Sequence, residues 1–163
     1  MVNVISSSAE ETIALGEKLA GVLRAGSIVA LNGGLGAGKT TLVKGIARAL
    51  GIEDEITSPT YSIISEYEGK IPLFHIDAYR LEGDEDFFSI GGAEILSGGD
   101  GLALIEWSER ISRSLPSGTI TVKIEIMEGG KRRISVSGGE FEALPQSFRG
   151  SREEAEAGEG PSW

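Results

Sequence analysis

One stretch limits what this chain can fold into more than any other. Residues 28 to 50 read IVALNGGLGAGKTTLVKGIARAL. Ile28, Val29, Ala30 and Leu31 form the short apolar run of a strand buried on both faces. From Gly33 the letters satisfy G-x-x-x-x-G-K-[ST], with Gly33, Gly38, Lys39 and Thr40 at the fixed places. Thr41 to Leu50 then carries Leu42, Ile46 and Leu50 at helical spacing. Strand, glycine-rich turn and helix start, in that order, are the parts of a P-loop. The chain is therefore expected to be α/β, with three layers and a largely parallel sheet.

The spacing has a physical cause. A polyphosphate needs many N–H donors within a few ångströms, so the backbone must wrap closely around it. Gly33, Gly34, Gly36 and Gly38 carry no Cβ to block that approach. The first N–H groups of the helix have no partner inside it and point, with the positive end of its dipole, at the anion. Lys39 is placed to reach the β- and γ-phosphates, and the Thr40 hydroxyl to ligate Mg²⁺. A ligand-free glycine turn is the bland alternative, and the full pattern in its proper context argues against it. Guanine readers usually carry N-K-x-D, which is absent here, as is a D-x-x-G after the P-loop. The implied nucleotide is ATP.

Length and charge narrow the rest. The chain has 163 residues, enough for one domain with its own core, and no cysteine, which excludes disulfides and thiolate metal sites. No apolar run approaches the roughly 18 residues of a membrane span, and no signal-peptide pattern opens the chain; a cytoplasmic location without membrane contact is expected. Twenty-five acids against fifteen bases give a net charge of −10. Such a body repels a phosphate backbone and disfavours direct nucleic-acid binding. Residues 1–145 are expected to form the single P-loop domain. From Gln146 the pattern is lost, and 146–163, rich in Glu and Gly, is expected to be a disordered tail.

Along the chain, Ser8 and Glu11 make a capping box for a helix expected over Ala9 to Ala25, with Gly26 as its C-cap. Tyr61 to Tyr67 and Ile71 to Ile76 read as an antiparallel hairpin, which makes the sheet mixed. Asp84 to Ile90 reads as a short helix, and Ile90 to Gly101 as a glycine-rich loop with a helical turn. Leu102 to Glu106 is a second buried strand; Ser108 to Leu115 is a helix stopped by Pro116. Thr119 to Met127 and Arg132 to Ser137 flank a Gly-Gly turn, giving a second hairpin.

Hydrolysis of Mg·ATP needs an acid near the metal. Glu106 is the leading candidate, because an apolar strand ending in a carboxylate delivers it to the edge where the P-loop opens. Asp77, after the run Leu73 to Ile76, is the second, suited to the metal's water shell or to the attacking water. Each competes with an ordinary strand-end acid. His75, the only histidine, shares the face of Asp77 by alternation, and is read as structural. Thr57, Ser58 and Thr60 sit on a loop stiffened by Pro59 and suited to sensing a γ-phosphate. Trp107 is either core or an interface anchor. No obvious arginine finger reaches the chain's own P-loop, so hydrolysis by the isolated protein should be slow. A small-molecule kinase and a non-catalytic nucleotide-dependent binding module are the other classes compatible with a P-loop. The kinase usually needs an arginine-rich lid, and none is evident between Asp84 and Leu102.

Together, GGLGAGKTT, TSPTYSIISEY, HIDAYRL and LIEW, in that order and spacing, resemble the TsaE (YjeE) family over roughly residues 5 to 137. The resemblance implies a P-loop ATPase of bacterial tRNA N6-threonylcarbamoyladenosine biosynthesis, with a three-layer α/β fold and a mixed sheet. It implies partners TsaB and TsaD, of which TsaD modifies the adenosine next to the anticodon in tRNAs reading ANN codons. ATP hydrolysis would reset that complex between turnovers, and tRNA would be met only through the partners. By motif, Gly36, Ala37, Gly38, Lys39, Thr40 and Thr41 resemble the phosphate-binding residues, and Thr40 and Glu106 the Mg²⁺ ligands. Asp77 resembles an acid needed for hydrolysis, and Ser58 and Thr60 belong to a switch-like loop. The resemblance also implies nucleotide contacts near Ala9 and from one basic residue of the last hairpin. Spacing leaves that residue open among Lys131, Arg132 and Arg133, with Arg132 taken as the assignment.

Overall fold

The computed structural model describes residues 1–57 and 63–139. Its strands are β1 (Val2–Ser6), β2 (Ile28–Asn32), β3 (Ile64–Tyr67), β4 (Leu73–Asp77), β5 (Leu102–Glu106), β6 (Ile120–Ile126) and β7 (Arg132–Ser137). Its helices are α1 (Ala9–Ala20), α2 (Lys39–Ala49), α3 (Asp84–Ser89) and α4 (Gly92–Gly98). The strands form one seven-stranded sheet in the order β1-β7-β6-β2-β5-β4-β3. The pairs β6-β2, β2-β5 and β5-β4 are parallel; β3-β4, β6-β7 and β1-β7 are antiparallel. The expected mixed sheet with a parallel centre and antiparallel hairpins is the one observed.

Alternation along the central strands builds a core on each face. Val29, Leu31, Leu102 and Leu104 turn to one side and pack with Leu15 and Leu19 of α1 and Leu42, Val43 and Ile46 of α2. Ile28, Ala103 and Ile105 turn to the other and pack with Ile76, Phe87 and Ile111. That is why β2 and β5 read as unbroken apolar runs: both faces are covered. Three layers result.

Helices α1 and α2 approach so closely that side chains are excluded between them. A Cβ on Gly45 would lie 2.0 Å from the Ile13 carbonyl oxygen, and one on Gly16 would lie 2.3 Å from that of Leu42. This contact pins α2, and with it the P-loop, against the rest of the layer.

Several elements differ from the sequence reading. β1 was not expected; its pairing with β7, residue for residue from Val2↔Val136 to Ser6↔Arg132, supplies the missing signal from far along the chain. α1 ends at Ala20 rather than Ala25, because the Gly21, Val22 and Leu23 N–H groups turn to i−3 carbonyls. Gly26 still makes the turn, at φ +91, with its N–H donated to Gly101 O at 2.8 Å. Gly92 to Gly98 is a short helix bracketed by two left-handed glycines, Gly91 and Gly99, more regular than the loop with a helical turn expected there. Ser108–Ser114 is a pair of 3-10 turns kinked at Ile111, not a continuous helix. The end of the 1–145 domain, the 146–163 tail, and residues 58–62 lie outside the described residues.

Candidate functional site

The parallel centre of the sheet sends the C-terminal ends of β2, β4 and β5 to one edge. At that edge β2 runs into the P-loop. Gly38, at φ +112, lets the chain turn directly into α2, and its carbonyl accepts the first helical bond from Leu42 N–H at 3.0 Å. The Lys39 ammonium is buried and donates to the Gly33 carbonyl at 2.5 Å and the Gly34 carbonyl at 3.3 Å. It also lies 4.7 Å from the centre of the Trp107 ring, at cation–π range. Thr40 and Thr41 follow in the first turn, half-buried.

Two recesses flank this loop. The larger, about 410 Å³, is bounded by residues 34–41 on one side and by Asp77, Tyr79, Arg80, Glu106 and Trp107 on the other. The smaller, about 150 Å³, lies behind the same glycines and is bounded by Ser8, Ala9, Thr12, Gly130 and Arg132. Gly36, Ala37, Gly38 and Thr41 line both. A ligand crossing the loop could therefore extend from one recess into the other.

The acids come together by register. Asp77 and Glu106 are directly paired across β4 and β5, and His75 stands two residues back on the same face, opposite Leu104. Glu106 is 3 % exposed, and its Oε2 is 2.9 Å from Nε2 of the fully buried His75. Asp77 is more open, and its Oδ1 accepts the Tyr79 N–H at 3.0 Å. Burial pushes the Asp77 carboxyl above the usual range, and the neighbouring Glu106 charge adds to this. The Tyr79 hydrogen bond and the Lys39 charge oppose it. Among the described residues no group of three or more His, Asp or Glu could hold a metal by itself. A hard cation held here would need most of its oxygen ligands from water and a bound anion; Thr40 and Glu106 both line the larger recess.

The second recess depends on long-range pairing. The capping box forms as read, with Ser8 Oγ accepting from Glu11 N–H at 3.1 Å, although Glu11 reaches back to Ser7 N–H at 2.6 Å rather than to Ser8. Register between β1 and β7 then sets Ser6 opposite Arg132. Arg132 donates from Nε to the Ala37 carbonyl at 2.8 Å and from Nη2 to the Gly36 carbonyl at 3.3 Å. Among the three basic residues of that hairpin, Arg132 is the one the fold brings to the P-loop.

Two arginines lie at the site: Arg132 bonds the P-loop carbonyls, and Arg80 lines the larger recess. The sequence reading left out Tyr79, Arg80 and Thr12, read Trp107 only as core or an interface anchor, and gave His75 no role at the site. Alternation in HIDAYR was the available signal for His75. Trp107 could not have been placed, because its ring is aimed by a left-handed backbone at φ +57, unusual for a bulky residue. Its ring meets that of Tyr79 at 5.0 Å, and Tyr79 in turn carries the Arg110 guanidinium at 5.3 Å. Ser58 and Thr60 lie outside the described residues; Ile63, beyond them, lines the larger recess. Among the described residues no helix is long and apolar enough to cross a membrane.

Comparison with known proteins adds a second line of observation. The family model described as "Threonylcarbamoyl adenosine biosynthesis protein TsaE" matches residues 6–134. The chain is 44% identical over 133 residues to the tRNA threonylcarbamoyladenosine biosynthesis protein TsaE of Treponema pallidum, covering 82% of this chain and 98% of that protein. It is 37% identical over 138 residues to the protein of the same name from Bacillus subtilis, covering 83% and 85%. A crystal structure of Bacillus subtilis YdiB superposes with a TM-score of 0.76 at 32% identity, covering 91% of this chain and 93% of that one.

Proposed function

The chain belongs to the TsaE family and takes part in threonylcarbamoyladenosine modification of tRNA, and we propose that its work there is to bind and hydrolyse Mg·ATP at the P-loop cleft. The observation that carries this reading is convergence. A P-loop lysine, a P-loop hydroxyl and two strand-end carboxylates, distant in sequence, line one cleft of a size that suits a nucleotide's phosphates.

In this reading the backbone N–H groups of residues 36–41 hold the phosphates, and Lys39 exchanges the Gly33 and Gly34 carbonyls for phosphate oxygens. Thr40 and Glu106 would hold Mg²⁺, which would supply neutralisation of the phosphate charge. Asp77, whose carboxyl burial holds above its ordinary value, orients the attacking water and takes its proton. The recess with Ala9 and Arg132 receives the nucleoside end; the γ-phosphate-sensing role expected of Ser58 and Thr60 falls outside the described residues. Direct chemistry on tRNA does not fit an acidic body, so the modification itself belongs to the TsaB–TsaD complex. Hydrolysis here serves its repeated turnover, and the partners stimulate it.

The decisive experiment is a multiple-turnover tRNA modification assay with TsaB–TsaD and threonylcarbamoyl-adenylate. This protein is omitted, added, or replaced by Asp77→Asn, with phosphate release followed in parallel. Sustained modification and stimulated phosphate release only with the parent protein support the reading. Equal product in all three reactions overturns it, and phosphate appearing on a small acceptor would put a kinase in its place.

A further inference from the structure

Among the described residues, His75 is the one buried ionisable side chain that the proposed chemistry leaves without a task. It is wholly enclosed, it is the only histidine of the chain, and its Nε2 lies 2.9 Å from Glu106 Oε2. Its other nitrogen, Nδ1, is buried with no hydrogen-bond partner among the described residues. A bare N–H at Nδ1 would leave a donor unpaired and turn the Nε2 lone pair toward a carboxylate. The arrangement favours the proton on Nε2, donated to Glu106. A core position with an orphaned nitrogen would be better filled by an apolar side chain of similar size, unless the imidazole does something the packing does not need.

We propose that His75 is a positioning residue for the Glu106 carboxylate, fixing Oε2 so that Oε1 faces the P-loop cleft in one orientation and is ready for the divalent cation. This rests on the reading that Glu106 is a metal ligand. The physical reason lies in the glutamate. Its terminal torsion is broad, and β5 fixes only the Cα and the first part of the side chain. An unrestrained carboxylate at the strand end must lose that freedom when it meets the cation. A donor from the adjacent strand removes the freedom in advance, as outer partners of metal ligands commonly do. Parallel pairing of β4 with β5 puts the donor within reach, because the histidine two residues before Asp77 falls beside Leu104, two residues before Glu106.

The test uses the full chain and two measurements. Binding of a non-hydrolysable ATP analogue is titrated against Mg²⁺ by calorimetry, alongside ADP binding in the absence of Mg²⁺. His75→Asn keeps a polar side chain but draws the donor back from Glu106, and should raise the Mg²⁺ concentration for half-saturation by about 10- to 100-fold. ADP affinity without Mg²⁺ should not change. His75→Gln, whose amide N–H reaches where Nε2 lies, should restore the parent's Mg²⁺ dependence. An unchanged Mg²⁺ dependence in His75→Asn overturns the proposal, as does an equal loss with and without Mg²⁺, the mark of a merely structural residue. Nitrogen NMR of the single imidazole tests the unmutated protein: a proton on Nδ1 rather than Nε2 overturns the proposal without any variant having to fold. Glu106→Gln separates the two levels. If it keeps the parent's Mg²⁺ dependence, the metal-ligand reading fails first. If it loses that dependence while His75→Asn does not, only the positioning role fails.

Discussion

At the scale of single residues, the site is governed by what each charged group has to leave when a nucleotide arrives. Lys39 is not a free surface cation. Its ammonium is buried against two loop carbonyls and an indole face, so in the proposed complex phosphate oxygens would have to replace partners already made. Truncating one member of a buried charged pair costs about 2–5 kcal/mol, so Lys39→Ala should weaken ATP binding by at least roughly thirtyfold in calorimetry. A small fall in melting temperature should accompany it, because the Gly33 and Gly34 carbonyls lose their donor. Asp77→Asn should bind Mg·ATP with near-parental affinity and hydrolyse it about 10²- to 10⁴-fold more slowly, the usual worth of a positioned base. The same variant carries a pH signature. Burial raises the Asp77 carboxyl above its unfolded value, so the parent is penalised for ionising it. That stability is present at acid pH and lost as pH rises through the raised folded value. Nucleotide-free Asp77→Asn should therefore melt slightly above the parent at neutral pH, with the gap closing as pH falls below the ordinary aspartate range. A gap that is constant with pH would remove the burial argument.

At the scale of elements, strand parity and one helix contact decide the geometry. His75, Asp77 and Glu106 share the sheet face that carries α2, because each lies an even number of positions from Leu73 or Leu104 on that face. A one-residue slip of β4 against β5 would send His75 and Asp77 to the opposite core and leave Glu106 without them. The other determinant is the backbone approach of α1 to α2 at Gly16 and Gly45. Gly45→Ala removes a weak helix former, and on propensity alone it should stabilise α2 by about 0.5–1 kcal/mol. The new methyl would stand 2.0 Å from the Ile13 carbonyl oxygen, so backbone must move. Overpacking of that kind costs about 1–3 kcal/mol. The net expectation is a lower midpoint in denaturant melts, with weaker ATP binding because α2 carries the P-loop. A more stable Gly45→Ala would mean that the helices separate freely.

At the scale of the whole molecule, charge sets what the protein can touch unaided. With 25 acids, 15 bases and a net charge of −10, it has little to offer a tRNA backbone. Alone it should show no tRNA retention in filter binding at micromolar concentration and physiological salt. Retention should appear only when TsaB–TsaD is added. Salt-sensitive micromolar binding by the isolated chain would break the assignment of tRNA to the partners. The parallel centre of the sheet matters at this scale too, since it gathers the P-loop and both acids at one edge and leaves the antiparallel hairpins to bring in the periphery of the site.

What the amino-acid sequence determined by itself is local or strongly patterned. Apolar runs, the glycine spacing and the helix behind them define the P-loop from contiguous residues, so Lys39 and Thr40 needed no tertiary information. Strand-end acids were legible because an apolar run followed by a carboxylate is a local signal as well. The tertiary structure decided everything that depends on register between distant strands. Val2 to Ser6 is a strand because β7 pairs with it, and Arg132, rather than Lys131 or Arg133, meets the P-loop because of the same pairing. His75 touches Glu106 because β4 lies beside β5 in one register, a pairing across 31 positions of sequence. Trp107 covers Lys39 through a left-handed backbone that no propensity announces. Local preference is encoded within a few neighbours, whereas pairing between distant segments is fixed by the shared burial of whole faces.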